Sequence, residues 1–256
     1  MSTTDDSNDT QNKASSSTST SDTTSTSNTT KAQERLEPNI YYDSALNVIV
    51  VDPPASVKHT ATVIGPIHGL GDSARGWLDG AVMLWAHIPH CRMILPNAPR
   101  APVTLNGGMI MPSWYDITGG NDRFGEACEG LSESKQTIDK LIDSEIENGI
   151  PSSRIAIAGF SQGGALSLVC GLQRQEALAG CLVMSGYLAG VKQFSLSEAA
   201  KATPVLHCHG KDDPMVKIVW ARETQQRLVE SGHPNYTLKE YPGLPHSVSA
   251  QELTEA

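Results

Sequence analysis

Residues 154–168 are the stretch that most limits what this chain can fold into. Positions 155–158 read Ile-Ala-Ile-Ala, a short apolar run of the kind buried inside a parallel sheet. Gly159-Phe160-Ser161-Gln162-Gly163 follows and matches Gly-x-Ser-x-Gly. From Gly164 onward, small and apolar residues continue as a helix to about Leu172. Three fixed positions match by chance in about one chain in ten of this length, from average Gly and Ser usage. The pattern gains its meaning from the strand before it and the helix after it, the context of a nucleophile elbow. Such a turn lifts the Ser161 hydroxyl above the sheet edge. It also leaves the backbone N–H of Gln162 at a helix start, where it can face a developing oxyanion.

The flanking sequence extends the alternation. Strands are expected at 47–51, 60–67, 92–95, 180–184, 204–209 and 236–241, and helices at 77–85, 131–148 and 218–229. The helix at 131–148 carries apolar Leu131, Ile138, Leu141, Ile142 and Ile146 with polar residues between, and ends at Asn148-Gly149. Residues 97–116 read as a long irregular loop containing Pro99, Pro102, Gly107, Gly108 and Pro112, and a loop of that length is usually functional. Strands alternating with helices specify a single doubly wound α/β domain with a largely parallel sheet and no large lid domain.

Composition sets the boundaries. Residues 1–35 are dominated by Ser, Thr, Asp and Asn and cannot bury enough apolar area to offset their ordering entropy, so we expect a disordered tail. Residues 36–256 are long enough for one domain with a sizeable core. The tail lacks an apolar h-region, Asp5, Asp6, Asp9 and Asp22 disfavour a transit peptide, and Ser2 rules out N-myristoylation. Net charge is −9 and no Lys/Arg block stands out, which disfavours nucleic-acid binding. Cys91, Cys128, Cys170, Cys181 and Cys208 form an odd set without C-x-x-C spacing, as expected of reduced cysteines in a cytosolic protein. His207-Cys208-His209 is not expected to hold a metal, because the two histidines share one strand face and Cys208 points away. No cofactor is implied.

In a doubly wound fold, reactive groups gather at the carboxyl ends of the strands. Behind an elbow serine the triad order is Ser, acid, His. Downstream of Ser161 the only aspartates are Asp212 and Asp213, and beyond them the only histidines are His233 and His246. His246 follows a strand, where the base belongs; His233 follows a helix end. A hydroxyl is a weak nucleophile at neutral pH and needs such a base, oriented by an acid. The oxyanion needs two N–H donors. Gln162 supplies one, and the loop His68-Gly69-Leu70-Gly71 supplies the other, at Leu70.

Taken together, His68-Gly69-Leu70-Gly71-Asp72, Pro102-Val103-Thr104-Leu105, Met111-Pro112-Ser113-Trp114-Tyr115-Asp116, Gly159 to Gly164, His209-Gly210 with Asp213-Pro214, and His246-Ser247 resemble the acyl-protein thioesterase (lysophospholipase/carboxylesterase) family of small α/β-hydrolases. The resemblance runs from about Thr60 to the C-terminus. It implies a serine hydrolase that removes fatty acyl groups from S-acylated cysteines of proteins and also acts on lysophospholipids and simple esters. It chooses Asp213 over Asp212 for the triad with Ser161 and His246, and it makes Leu105, Met109 and Met111 candidates for an acyl channel. It further implies residence in the cytoplasm, with the nucleus second, and transient contact with membrane surfaces. The family's closing helix would begin here near Ser249 and stop at Ala256, short of a full one. Two rival readings remain: a general carboxylesterase for small soluble esters, and a catalytically silent module that holds an acylated partner.

Overall fold

In a computed structural model, the structure describes residues 36–120 and 122–255; the expected tail lies outside them. The described residues form ten strands and five α-helices. Eight strands make one sheet, in the order β1 (Asn39–Asp43), β2 (Val48–Asp52), β4 (Cys91–Pro96), β3 (Ala61–Ile67), β7 (Ile155–Phe160), β8 (Gly180–Met184), β9 (Val205–Gly210), β10 (Tyr236–Tyr241). β1 pairs with β2 and β2 with β4 antiparallel; the other five pairings are parallel. The parallel strands read as near-continuous Ile, Val and Ala because both their faces are covered. Ile155 and Ile157 are fully buried.

The helices divide between the faces. α1 (Ala74–Trp85) packs Ala74, Leu78, Ala81 and Trp85 against Ile49, Val51, Met93 and Leu95. α2 (Leu131–Glu147) and α3 (Gln162–Leu172) pack on the other face against Ile64, Ile94, Ile155 and Ile157, beside Leu228 of α4 (Ile218–Glu230). On α2 the expected stripe is real: Leu131, Ile138, Leu141 and Ile142 are buried. Residues of α3 are buried all round, so this helix is apolar on every side.

Two expectations need correction. Residues 97–116 are not an irregular loop: they contain an antiparallel hairpin, β5 (Arg100–Val103) and β6 (Met109–Pro112), with Val103 opposite Met109 and Ala101 opposite Met111. Gly107 and Gly108, at φ of 65° and 80°, make its turn. The edge strand β1 was not expected at all. The last described element is helix α5 (Ala250–Glu255). Its Glu255 meets Lys239 and Tyr241 on β10. Further back on that face, Leu182 and Leu206 line an open apolar groove with Val63 and Leu84.

Candidate active site

β7 ends at Phe160, and Ser161 takes φ 55° and ψ −118° before α3 begins at Gln162. A non-glycine residue held there carries backbone strain of order 1–3 kcal/mol, so the surroundings must enforce the turn. They do so by close approach. A Cβ at Gly159 would collide with the carbonyl of Gly163, and a Cβ at Gly163 would collide with the carbonyls of Ile67 and His68. The Ser161 N–H donates to the Met184 carbonyl at 2.8 Å, tying the elbow to β8.

Ser161 Oγ lies 2.9 Å from His246 Nε2, and His246 Nδ1 lies 2.7 Å from Asp213 Oδ2. A carboxylate only accepts, so Nδ1 carries the proton and Nε2 is free to receive one from Ser161. Asp213 Oδ1 accepts N–H bonds from Met215 and Val216, both at 2.8 Å. Burial pushes the Asp213 carboxyl up, but the bonds from His246, Val216 and Met215 outweigh it and hold the carboxyl below its usual range. Asp213 is therefore ionised at neutral pH. Phe160 backs the imidazole, with ring centroids 4.8 Å apart, and Trp77 backs Phe160 at 5.4 Å.

The loop expected to complete an oxyanion hole is fixed from several sides. Trp114 Nε1–H donates to the His68 carbonyl at 2.8 Å, and Gly71 N–H donates to Pro112 O at 2.8 Å. His68 Nε2 accepts the Ala98 N–H at 3.0 Å, so Nδ1–H donates to Gly69 O at 2.7 Å. Burial holds this imidazole neutral. A Cβ on Gly69 would sit 3.3 Å from Ser161 Cβ, which places the loop directly against Ser161. Among the described residues, no acceptor meets the N–H of Leu70 or of Gln162.

Of the residues expected to line an acyl channel, Met111 is half-buried beside Gly71, its Sδ 3.9 Å from where a Gly71 Cβ would lie. Leu105 and Met109 are 41% and 64% exposed. His207 and His209 spend all four ring nitrogens on protein partners: Tyr236 OH, each other, and Val216 O. His233 is buried against Thr203 O, away from the triad.

The sequence reading missed the Gln162 side chain. Its Oε1 accepts the Trp114 N–H at 3.0 Å, and its Nε2 donates to Ser113 Oγ and Tyr115 O at 3.0 and 2.7 Å. This buried amide welds the elbow to the segment that follows the hairpin. A long polar side chain at the first position of a helix apolar all round was the available signal, since such a group must find partners.

A family model described as phospholipase/carboxylesterase matches residues 47–256. Acyl-protein thioesterase 1 of Schizosaccharomyces pombe is 41% identical over 210 residues, covering 81% of this chain and 92% of its own. Acyl-protein thioesterase 1 of Neurospora crassa is 42% identical over 212 residues, covering 78% and 85%. Among solved structures, Arabidopsis thaliana SOBER1 superposes with a TM-score of 0.69 at 33% identity, over 77% of this chain and 94% of that one. Zea mays acyl-protein thioesterase 2 gives a TM-score of 0.67 at 26% identity, over 84% and 96%. With the elbow, the parallel sheet and these similarities in agreement, the chain belongs to the phospholipase/carboxylesterase family of α/β-hydrolases.

Proposed function

We propose that this chain is a serine hydrolase that removes palmitoyl-type acyl groups from S-acylated cysteines of proteins, with lysophospholipids and simple carboxylic esters as further substrates. The observation that carries the reading is the hydrogen-bonded line from Ser161 Oγ through His246 to Asp213, beside two backbone N–H groups without acceptors. In this mechanism His246 Nε2 takes the Ser161 proton as Oγ attacks the thioester carbonyl. Asp213 holds the imidazole tautomer and stabilises the imidazolium. Leu70 and Gln162 N–H groups receive the oxyanion, each such donor contributing about 2.7–4 kcal/mol of transition-state stabilisation in a comparable site. The C–S bond then breaks, and the sulfur leaves as a thiol with the proton from His246. Water, deprotonated by His246, attacks the acyl-serine ester and releases the fatty acid.

Protein thioesters as substrates are supported by the names of relatives about 40% identical over most of the chain. Exposed Met109 and Ile110 on the hairpin support transient contact with a membrane surface that carries acylated proteins. Five buried, unpaired cysteines support residence in the cytoplasm, with the nucleus second. A small-ester carboxylesterase is the second reading, favoured by the exposure of Leu105 and Met109, which leaves the expected acyl channel open.

The test is labelling by a fluorophosphonate probe, followed by hydrolysis of an S-palmitoylated peptide beside a matched oxoester. Wild type should label and cleave the thioester. Ser161→Ala should not label, and its kcat should fall about 10⁶-fold. An unlabelled wild type would turn the reading into a silent acyl-binding module.

A further inference from the structure

Behind the candidate triad lies a line of polar groups that the mechanism above does not use. Tyr236 OH sits 2.6 Å from His207 Nδ1, His207 Nε2 sits 3.2 Å from His209 Nδ1, and His209 Nε2 sits 2.7 Å from the Val216 carbonyl. All three side chains are buried. The far end of the line fixes its direction. Val216 O can only accept, so His209 carries its proton on Nε2 and accepts at Nδ1. His207 must then donate from Nε2 and accept at Nδ1, and Tyr236 O–H donates to it. The reverse order fails, because it would set the bare Nε2 of His209 against a carbonyl oxygen. Burial, the largest influence on both histidines, keeps them neutral.

The line ends on the residue that holds Asp213. Val216 N–H and Met215 N–H clamp Asp213 Oδ1, which leaves Oδ2 for His246. His209 grips the same residue by its carbonyl, and its Nε2 stands 3.7 Å from Asp213 Oδ2. The 213–216 turn is therefore held at both the N–H and the C=O of Val216. β9 supplies both histidines, and its parallel pairing with β10 brings Tyr236 beside His207, while the 213–216 turn follows the end of β9 that carries His209. The charged and titratable groups around His209 are Asp213, His246, Glu240 and His207.

We propose that His209 is a positioning residue for the triad carboxylate: its Nε2–H, held in one tautomer by His207 and Tyr236, sets the 213–216 turn so that Asp213 Oδ2 meets His246. The inference rests on the reading of Ser161, His246 and Asp213 as a catalytic triad. A buried histidine pair could otherwise be plain core filling. The fixed direction of all three bonds, and their ending on the residue whose N–H clamps Asp213, favour positioning.

The test compares His209→Leu, which keeps bulk and removes the N–H, with His209→Gln, whose amide N–H reaches about the same place. Initial rates with a soluble thioester are measured from acid to alkaline pH, normalised by fluorophosphonate titration of active sites. His209→Leu should lose about 10- to 100-fold in kcat, as small misplacements of reacting groups do, with KM nearly unchanged. The acid limb of kcat/KM should move to lower pH, because a misplaced Asp213 stabilises the His246 imidazolium less. His209→Gln should recover most of the rate and the limb. If His209→Leu does not fold, Tyr236→Phe, which releases the His207 tautomer, should show the same limb shift to a smaller extent. An unmoved acid limb in His209→Leu, or in Tyr236→Phe where it must stand in, overturns the proposal even if activity falls, since a packing defect lowers active protein without moving that limb. A His209→Gln variant no better than Leu also overturns it. A wild type that neither labels nor turns over would instead strike the triad reading.

Discussion

Asp212 and Asp213 are neighbours in sequence but bind opposite partners: Asp213 Oδ2 meets His246 Nδ1 at 2.7 Å, while Asp212 Oδ2 accepts the Gly243 N–H at 2.7 Å. Asp213 holds the His246 imidazole, and Asp212 ties down the loop that leads to it. Asp213→Asn should cost about 10⁴ in kcat, the size of the effect when a triad acid is replaced and the tautomer lost. Asp212→Asn can still accept from Gly243 and should stay within a few-fold of wild type. Side-by-side steady-state kinetics decide the matter, and the opposite ranking would reassign the acid.

The Gln162 amide supports a second prediction. Gln162→Leu keeps the bulk but leaves the Trp114 N–H without its acceptor and takes a donor from Ser113 Oγ and Tyr115 O. Each buried group left unsatisfied costs about 1–3 kcal/mol. The variant should melt several degrees lower and turn over more slowly, because the same amide anchors the elbow. Thermal unfolding and kcat of wild-type stability and rate would show that the amide bonds carry no net weight.

The contrast between those two sites shows where the sequence could be read. Ser161, the acids and the histidines were legible because the elbow has a fixed local pattern and few Asp or His residues follow it. Adjacent Asp212 and Asp213 could not be separated by spacing, since which carboxylate turns inward depends on the β9–α4 turn; the family resemblance made that choice. The β5–β6 hairpin was hidden. Its strands are four residues long and broken by Pro102 and Pro112, too short to show a period. β1 was hidden for another reason: four of its five residues are exposed, so no buried face marks it. The His207–His209 line needed three dimensions, since Tyr236 and Val216 reach it from other elements.

Acid should destabilise this fold from near neutrality. Burial lowers the pKa of His68, His207, His209 and His233. In the unfolded chain each titrates near the ordinary value of about 6.5. Below that pH the unfolded state binds protons that the folded state refuses, so stability falls as pH falls. Glu252, raised by burial, works in the opposite direction: the folded state holds its proton longer, and stability declines as pH rises through that window. Asp213, depressed in the folded state, loses its contribution only below about pH 3.9. With His59, also lowered mainly by burial, five histidines outweigh one glutamate, so the melting temperature should drop between pH 7 and pH 5. His233→Gln keeps a donor for Thr203 O and should make the slope shallower. A melting temperature that is flat or rises towards pH 5 would contradict the sign.

The hairpin decides between thioesterase and small-ester esterase. On β6, Met109 and Met111 share one face and Ile110 takes the other, by the two-residue repeat of a strand. Met111 is the member beside the Gly71 loop, with Asn106 Nδ2 3.1 Å from its Sδ, while Ile110 is 60% exposed. A long acyl chain leaving Ser161 past that loop would meet Met111 first. Each buried methylene contributes at most about 0.8 kcal/mol, so eight more of them, from a four- to a twelve-carbon chain, give up to about 6 kcal/mol. Ordering the chain and incomplete burial on an open hairpin reduce this to about 2–4 kcal/mol, which is roughly 30- to 1,000-fold in kcat/KM with monomeric substrate. Met111→Asp places a carboxylate on that path and should depress the twelve-carbon rate far more than the four-carbon rate. Ile110→Asp, on the other face of β6, should leave the chain-length profile as it is. The measurement is kcat/KM against acyl length for the three proteins. A flat or falling wild-type profile would remove the channel and leave a carboxylesterase for small esters; equal effects of the two substitutions would show that the charge acts on the hairpin as a whole rather than on the face beside Gly71.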